Sequence, residues 1–410
     1  MLRSHFQIEI SRADLRDLNI IGWAVLAGLL LIVGQRSLQI NQERDFVYFY
    51  SVGLILNHNP PSDLYDYGLQ KEVFAQVQPL GRSGSYGPSP YPPYVAMFFR
   101  PLARLEFMKA YRIWTAVTLV LYVAGLSLLI FHFFPKDRLK QSSLFCFALC
   151  FWPFMARTLL NGQLAAVGFF AMALALFLED SGRPYASGFA LATCLYKPTL
   201  LLLILPMLLV IRRFKTLAGF VLGGTALVAL TTWVEGFAIW PAFVRMSSHV
   251  PGFRPFLQFD DYVDFGSFGS MIAHGARLAR IVVAYVAAAA CVYLAGAWWR
   301  ARRWALDKPA TLLWATTLTW TLLLNVYTPI YDSILVVISV IVTVAAMGGS
   351  DCSTLMVLCF FLLVLAPITK GLAVLTGWQV LTLVLFAFGT VQLRLLRSQG
   401  CGREYSGQRQ

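Results

Sequence analysis

Long apolar segments recur along the whole chain and alternate with short polar stretches. A helix rises 1.5 Å per residue and the hydrocarbon core is about 30 Å thick, so about 20 apolar residues are typical of a transmembrane helix. The pattern therefore predicts an all-α polytopic membrane protein. Its apolar segments lie at about 18–34, 110–134, 141–160, 163–179, 185–211, 215–234, 278–299, 309–326, 330–348, 353–367 and 371–394.

Two segments decide how often the chain crosses. Residues 94–105 are too short to span and carry Arg100 and Arg104, which favours a re-entrant or surface helix. Residues 185–211 are interrupted at Lys197-Pro198, so we interpret them as two short halves of the kind tolerated beside a polar cavity. These choices predict about twelve crossings.

Basic residues orient the predicted spans. With these choices, all the clusters of basic residues fall on the same side of the membrane as the N-terminus. The positive-inside rule makes that side cytoplasmic. If residues 94–105 cross the membrane and residues 185–211 form a single span, the sides of the later loops are equally consistent. That arrangement, however, places the basic cluster Lys136–Lys140 outside. We therefore predict cytoplasmic segments at 1–17 and 395–410, and one transmembrane domain at 18–394 with large outer loops at 35–93 and 235–277. The basic clusters are Lys136–Lys140, Arg183, Arg212–Lys215, Arg300–Lys308 and the C-terminus from Arg394.

Composition narrows the class of protein. The chain is 58% hydrophobic and only 13% charged, with a net charge of +13 that is scattered between the spans. That distribution fits orientation and contact with anionic lipid, and it argues against nucleic acid. The seven cysteines avoid the predicted outer loops, so neither disulfides nor a thiolate metal site is expected. No phosphate-cradling glycine loop is present for a soluble nucleotide-sugar donor.

The polar loops that lack basic clusters all fall on the predicted outer face. This convergence is typical of an enzyme or transporter that works at the outer leaflet. The loops are 35–93, Arg157–Gln163, Tyr196–Pro198, 235–277 and Asn325–Asp332.

Motifs in these loops carry a family resemblance. The sequence resembles the polyprenol-phosphate-mannose-dependent mannosyltransferases of glycosyltransferase family 87, which have the GT-C fold. The motifs occur in the family's order over roughly residues 45–332. They are Asp45-Phe46-Val47-Tyr48-Phe49-Tyr50 with Gly53 and Leu64-Tyr65-Asp66; Tyr91-Pro92-Pro93 with Arg100-Pro101-Leu102-Ala103; Asn161-Gly162-Gln163; Tyr196-Lys197-Pro198 with Arg212-Arg213; and Pro329-Ile330-Tyr331-Asp332.

The resemblance implies a catalytic base early in the first outer loop, which maps onto Asp45. It also implies a polyprenyl-phosphate sugar donor and, from β-linked donors, α-glycosides formed by inversion. A phosphate leaves without strong acid help, so one carboxylate suffices for a single displacement. A histidine that matters in some members is absent here, because Asn325–Pro329 contains none. The alternative for Asp45 is an N-cap of the helix that begins at Phe46.

Cations on the outer side are candidates for the donor phosphate. Lys197 lies beside a helix break, and Arg157 and Arg254 lie in outer loops. Cations at membrane depth are costly and usually have a partner or a role. The alternative for Arg157 is snorkelling to the surface, and Arg36, Arg44, Arg100 and Arg104 are expected to contact lipid headgroups.

Several other polar residues are candidates for substrate binding. Asn161 and Gln163 either hydrogen-bond sugar hydroxyls or form a tight turn. Asp332, next to Tyr331, either binds substrate, pairs with Lys197 or acts in the first helical turn. The helix from Phe46 is expected to be amphipathic and interfacial, with most of its aromatic residues as anchors and Tyr48 or Tyr50 lining the sugar pocket.

The acidic stretch Asp260–Asp264 is an alternative metal site, but a solvated loop is commoner and we predict no metal and no cofactor. The interpretation is a polytopic inner-membrane glycosyltransferase with both termini cytoplasmic and the site facing outwards. Its partners are a polyprenyl-phosphate sugar, a lipid or glycan acceptor and the bilayer. Mannose is the family default, with arabinose, glucose or a diphosphate carrier as alternatives. A lipid or glycan flippase and a scaffold subunit are the rivals from other classes.

Overall fold

The computed structural model describes residues 12–38, 45–77, 89–249, 259–273, 277–303, 310–347 and 371–404, and their regular structure is helical. Extended pairing in these ranges is limited to one antiparallel bridge between Tyr262 and Pro329. The all-α prediction is confirmed. The α-helices are α1 Arg12–Leu38, α2 Phe46–His58, α3 Tyr67–Val77, α4 Pro93–Phe99, α5 Phe107–Phe133, α6 Arg138–Cys150, α7 Ala165–Asp180, α8 Pro184–Ala192, α9 Ile204–Val210, α10 Phe214–Glu235, α11 Ile239–His249, α12 Phe265–Ala273, α13 Arg277–Ala301, α14 Thr311–Leu324, α15 Val336–Met347 and α16 Val380–Glu404.

Six helices within the described ranges are long and apolar enough to cross a membrane, so the chain is a polytopic membrane protein. A bent pair, Arg138–Cys150 with Pro153–Leu159, makes a seventh if it is one span. Other predicted spans form shorter helices, such as the 14-residue α14, about 21 Å long. The predicted span 353–367 lies outside the described residues, and the count of about twelve stays a prediction. The six are Leu15–Gln35, Phe107–Phe133, Phe214–Glu235, Arg277–Ala301, Ile330–Met347 and Val380–Arg397.

Helix α2 is not the interfacial helix that its aromatic pattern suggested. Phe46, Phe49 and Tyr50 are all buried. The residues around 94–105 cover them, because Phe99 on the short helix α4 lies 6.1 Å from the ring of Phe46 and 5.1 Å from that of Phe49. The aromatic residues therefore form a packed core between α2 and α4 rather than a lipid anchor.

Helices α8 and α10 approach each other closely through glycine. A Cβ at Gly188 would lie 1.8 Å from the backbone oxygen of Thr216, and one at Gly219 would lie 2.0 Å from that of Tyr185. Small residues allow this backbone contact between membrane helices, where dispersion rather than hydrophobicity drives association. The contact fixes the broken segment after α8 against a long straight helix.

Irregular helical turns meet in the interior. A π-helical turn spans Pro153–Leu159, 3₁₀ turns span Thr193–Tyr196 and Pro198–Leu201, and another spans Ile330–Leu335. The predicted interruption at Lys197-Pro198 is present, with Lys197 at φ −140° and ψ 82°. Irregular backbone at membrane depth is tolerated where it is buried or lines a cavity, and π turns often occur at functional sites. Four of the candidate residues lie at these turns, namely Arg157, Lys197, Tyr331 and Asp332.

Candidate active site

Asp45 directly precedes α2 but does not cap it with its side chain. The Asp45 backbone oxygen accepts from Tyr48 N at 3.0 Å. The carboxylate instead accepts a hydrogen bond from Gln163 Nε2 at 2.7 Å. The capping alternative therefore does not describe the carboxyl group, which points towards a residue 118 positions away.

The turn Asn161–Gln163 is docked against the start of α2. The oxygen of Asn161 accepts from Phe46 N at 2.9 Å, and that of Gly162 accepts from Trp114 Nε1 at 2.8 Å. Gly162 has φ +71°, and a Cβ there would lie 2.7 Å from the Cβ of Phe46. The stretch is thus both a tight turn and the support that aims Gln163 at Asp45.

Burial raises the pKa of the Asp45 carboxyl above its usual range. The hydrogen bond from Gln163, the charge of Arg157 and a hydrogen bond from Asn161 oppose that rise, while the charge of Asp261 adds to it. Asp45 keeps a partly exposed edge. A carboxylate with a raised pKa is a stronger base, so this environment suits proton abstraction.

Arg157 on the π turn forms an ion pair with Asp261. Both side chains remain about one quarter exposed, at 26% and 28%. Sequence reasoning proposed Arg157 but did not anticipate Asp261 as its partner. The pair places a cation and an anion near Asp45, and both affect the pKa of its carboxyl group.

Asp264, the last acidic residue of the 260–264 stretch, points elsewhere. Asp264 is fully buried and accepts from Ser267 N at 2.8 Å, Ser267 Oγ at 3.0 Å and Thr328 N at 2.9 Å. Burial raises the pKa of Asp264. In the described ranges, no group of three or more histidine, cysteine or acidic residues is arranged to hold a metal ion. Asp264 thus caps α12 and ties it to the loop before Pro329.

Lys197 and Asp332 form a buried ion pair, with side chains 6% and 2% exposed. The ammonium also lies 4.9 Å from the ring centre of Tyr327 and 5.1 Å from that of Tyr331. Cation–π contacts of this kind stabilise a desolvated cation by up to about 2 kcal/mol. Of the alternatives for Asp332, the structure has both the pairing with Lys197 and a place in the first turn of the 3₁₀ segment Ile330–Leu335.

Tyrosines from separate segments lie close to both Asp45 and this ion pair. Tyr91 and Tyr331 lie close to each other, and both lie within electrostatic range of Asp45 and Asp332. Tyr262 also lies within range of Asp45, and its ring is 6.3 Å from that of Tyr327. Sequence reasoning missed Tyr91, Tyr262 and Tyr327 as site residues, although the motif Tyr91-Pro92-Pro93 was a signal for the first.

Some candidates lie away from this cluster. Tyr48 packs on α3, with its ring 4.6 Å from that of Phe74, and so faces away from the partners of Asp45. Arg100 does not serve as a free lipid contact, because it donates to both oxygens of the buried Glu235 at 3.0 and 2.8 Å. Arg254 lies outside the described residues. So do Arg44, His274 and the side chains of Arg36 and His249.

Comparison with known proteins gives one family. A model described as glycosyltransferase family 87 matches residues 90–329. The match includes Arg157, Gln163 and Lys197, whereas Asp45 and Asp332 lie outside it. Neither a curated protein nor a solved structure matched the chain.

Proposed function

Because the chain belongs to glycosyltransferase family 87, and is a membrane enzyme that transfers glycosyl groups, we propose that it uses a polyprenyl-phosphate sugar at the outer face of the membrane. Asp45 acts as the general base towards an acceptor hydroxyl. The observation that carries this proposal is the Asp45 carboxyl, which is held by Gln163 rather than by the helix it precedes.

The reaction is a single displacement with inversion. Asp45 takes the proton of the acceptor hydroxyl as its oxygen bonds to the anomeric carbon. The bond between that carbon and the phosphate oxygen breaks, and the electron pair leaves with the polyprenyl phosphate. One base suffices because the phosphate is a good leaving group.

Arg157 is the residue that meets the donor phosphate. Its guanidinium carries several donors in a planar fork that matches phosphate oxygens, and it keeps an exposed edge. Lys197 adds positive charge behind it, although its ammonium already contacts Asp332. When the phosphate arrives, Arg157 shares or exchanges its contact with Asp261.

The space for the transferred sugar is lined by one amide side chain and four tyrosines. These residues are Asn161, Tyr91, Tyr262, Tyr327 and Tyr331. Aromatic faces pack against the apolar side of a pyranose, and hydroxyl and amide groups bind its hydroxyls. Mannose is the sugar that the sequence resemblance favours, and arabinose and glucose are the alternatives.

The test is transfer from a radiolabelled polyprenyl-phosphate-mannose pool in membranes that contain equal amounts of wild type or Asp45→Asn protein. We expect label in a new glycoconjugate with wild type only. The matched control is Asp137→Asn, because Asp137 does cap its helix by accepting from Lys140 N at 3.1 Å. Asparagine caps as well as aspartate, so this control keeps activity.

Equal transfer by Asp45→Asn and wild type would overturn the role of Asp45. Absence of transfer by wild type with every polyprenyl-phosphate sugar would overturn the donor class. A transport activity that survives Asp45→Asn, without transfer, would favour the flippase.

A further inference from the structure

A cavity lies at the far end of α2 from Asp45. Its volume is about 750 Å³, and it opens between the first outer loop and α11. Since α2 has 13 residues, the cavity is about 20 Å from the base. Its lining residues are Asn59, Ser62, Asp63, Tyr65, Asp66, Tyr67, Leu69, Ala242, Arg245 and Met246.

The walls of this outer-loop cleft are firmly packed. Ile239 and Ala242 of α11 are buried against α2 in a cluster with Ile55 and Leu56. Tyr65 stacks near Phe243 at 5.4 Å, and its hydroxyl donates to the backbone oxygen of Tyr91 at 2.7 Å. The cleft is thus a preformed space, and the hydrogen bond from Tyr65 to Tyr91 connects its wall to a residue near Asp45.

The charges in the cleft disfavour a phosphate. Asp63 and Asp66 face a single cation, Arg245, and like charges brought together cost several kcal/mol. One oxygen of Asp66 accepts from Leu69 N at 2.8 Å, and Ser62 Oγ donates to Asp63 at 3.0 Å. Carboxylates, an amide and a hydroxyl beside the 45% exposed ring of Tyr67 fit a neutral polyhydroxyl ligand.

The surface beside the cleft fits a membrane interface. Trp233 and Phe237 lie at and just after the end of α10, and they are 84% and 71% exposed. Val244 on α11 is 64% exposed. Aromatic and apolar side chains of this kind occupy the level of the lipid headgroups. A ligand anchored in the leaflet beside α11 therefore reaches the cleft with its headgroup.

We propose that the outer-loop cleft binds the inner sugars of a neutral, lipid-linked oligosaccharide acceptor, whose terminal hydroxyl reaches Asp45. This inference rests on the proposed function and adds the class of acceptor. It selects an oligosaccharide over a single sugar, because the two sites are about 20 Å apart along α2.

The test measures binding of neutral, linear α-linked manno- and gluco-oligosaccharides of one to five units to the full chain in nanodiscs. We compare wild type with Tyr67→Ala and Asp63→Asn. Tyr185→Ala is the matched control, because Tyr185 is 54% exposed at the start of α8 and outside the cleft.

For at least one series, we expect the affinity of wild type to rise about tenfold with length, the effect of one to three added hydrogen bonds. Both cleft variants lose this rise while their melting temperatures match wild type, and Tyr185→Ala keeps it. Affinity that does not depend on length, a rise that survives both cleft variants, or preferential binding of phosphatidylglycerol vesicles through the cleft would overturn the proposal.

Turnover of the polyprenyl-phosphate sugar is measured on the same samples. If wild type binds long oligosaccharides through the cleft but turns over no such donor, the proposed function is wrong and the proposed role of the cleft is supported. If the donor is turned over but binding is independent of length, the proposed role of the cleft is wrong and the proposed function is supported.

Discussion

Replacing Gln163 with leucine removes the amide that donates to the Asp45 carboxylate at 2.7 Å. Burial already raises the pKa of Asp45, and the hydrogen bond from Gln163 is the largest of the effects that lower it. A hydrogen bond to a charged group contributes about 1.5–3 kcal/mol, and 1.36 kcal/mol corresponds to one pKa unit. The substitution should therefore raise the pKa of Asp45 by about one to two units.

The assay is the pH dependence of kcat/KM, which reports the free enzyme. In the proposed mechanism Asp45 acts as the base and must be deprotonated, so activity is expected to fall as the pH drops through its raised pKa. In Gln163→Leu, that acidic limb should move to higher pH by about one to two units.

Gln70→Leu is the matched control. Gln70 is equally a buried glutamine of the outer-loop region, but its amide donates to the oxygen of Leu64 at 2.6 Å. We expect Gln70→Leu to lower stability without moving the limb. An unchanged limb in Gln163→Leu, or a shift to lower pH, would refute the assignment of Asp45 as the base held by Gln163.

Further substitutions test the buried charges and the helix packing. Lys197→Ala leaves Asp332 buried without its cation and should lower the free energy of unfolding by about 3–5 kcal/mol, measured by thermal unfolding. The double variant Lys197→Met with Asp332→Leu removes both charges, so it should recover the stability but not the activity in transfer assays. Arg100→Ala leaves Glu235, whose side chain is 0% exposed, without its cation. The loss of stability should be comparable to that of Lys197→Ala and should lower the melting temperature, and a melting temperature equal to that of wild type would contradict this. Gly188→Leu should abolish folding by keeping α8 and α10 apart, and normal yields of folded protein in detergent would count against that contact.

Much of the candidate site followed from topology. Once the positive-inside rule placed the loops of Asp45, Gln163 and Lys197 on one face, their proximity was expected, and the structure brings the three into one region. The pairing of Lys197 with Asp332 was among the stated alternatives because an intramembrane cation needs a partner.

Other contacts depend on long-range packing that no local pattern carries. The spacing of Phe46 and Phe49 predicted an apolar face but not what covers it, and the cover is Phe99, about fifty positions later. Asp261 looked like part of a solvated acidic loop, yet it pairs with Arg157, 104 positions away. The number of crossings depends on helices such as α14, which are so short that hydropathy alone does not decide whether they span the membrane.

The separation of Lys197 and Asp332 has a consequence for biosynthesis. The two residues are 135 positions apart, so at about 5–20 residues per second the ribosome reaches Asp332 about 7 to 27 seconds after Lys197. Throughout that interval the cation sits at membrane depth without its partner, and the segment that carries it is costly to leave in lipid. A nascent chain in this state lacks the buried ion pair that joins the break after α8 to the turn Ile330–Leu335, so these two segments cannot be held together before Asp332 is made.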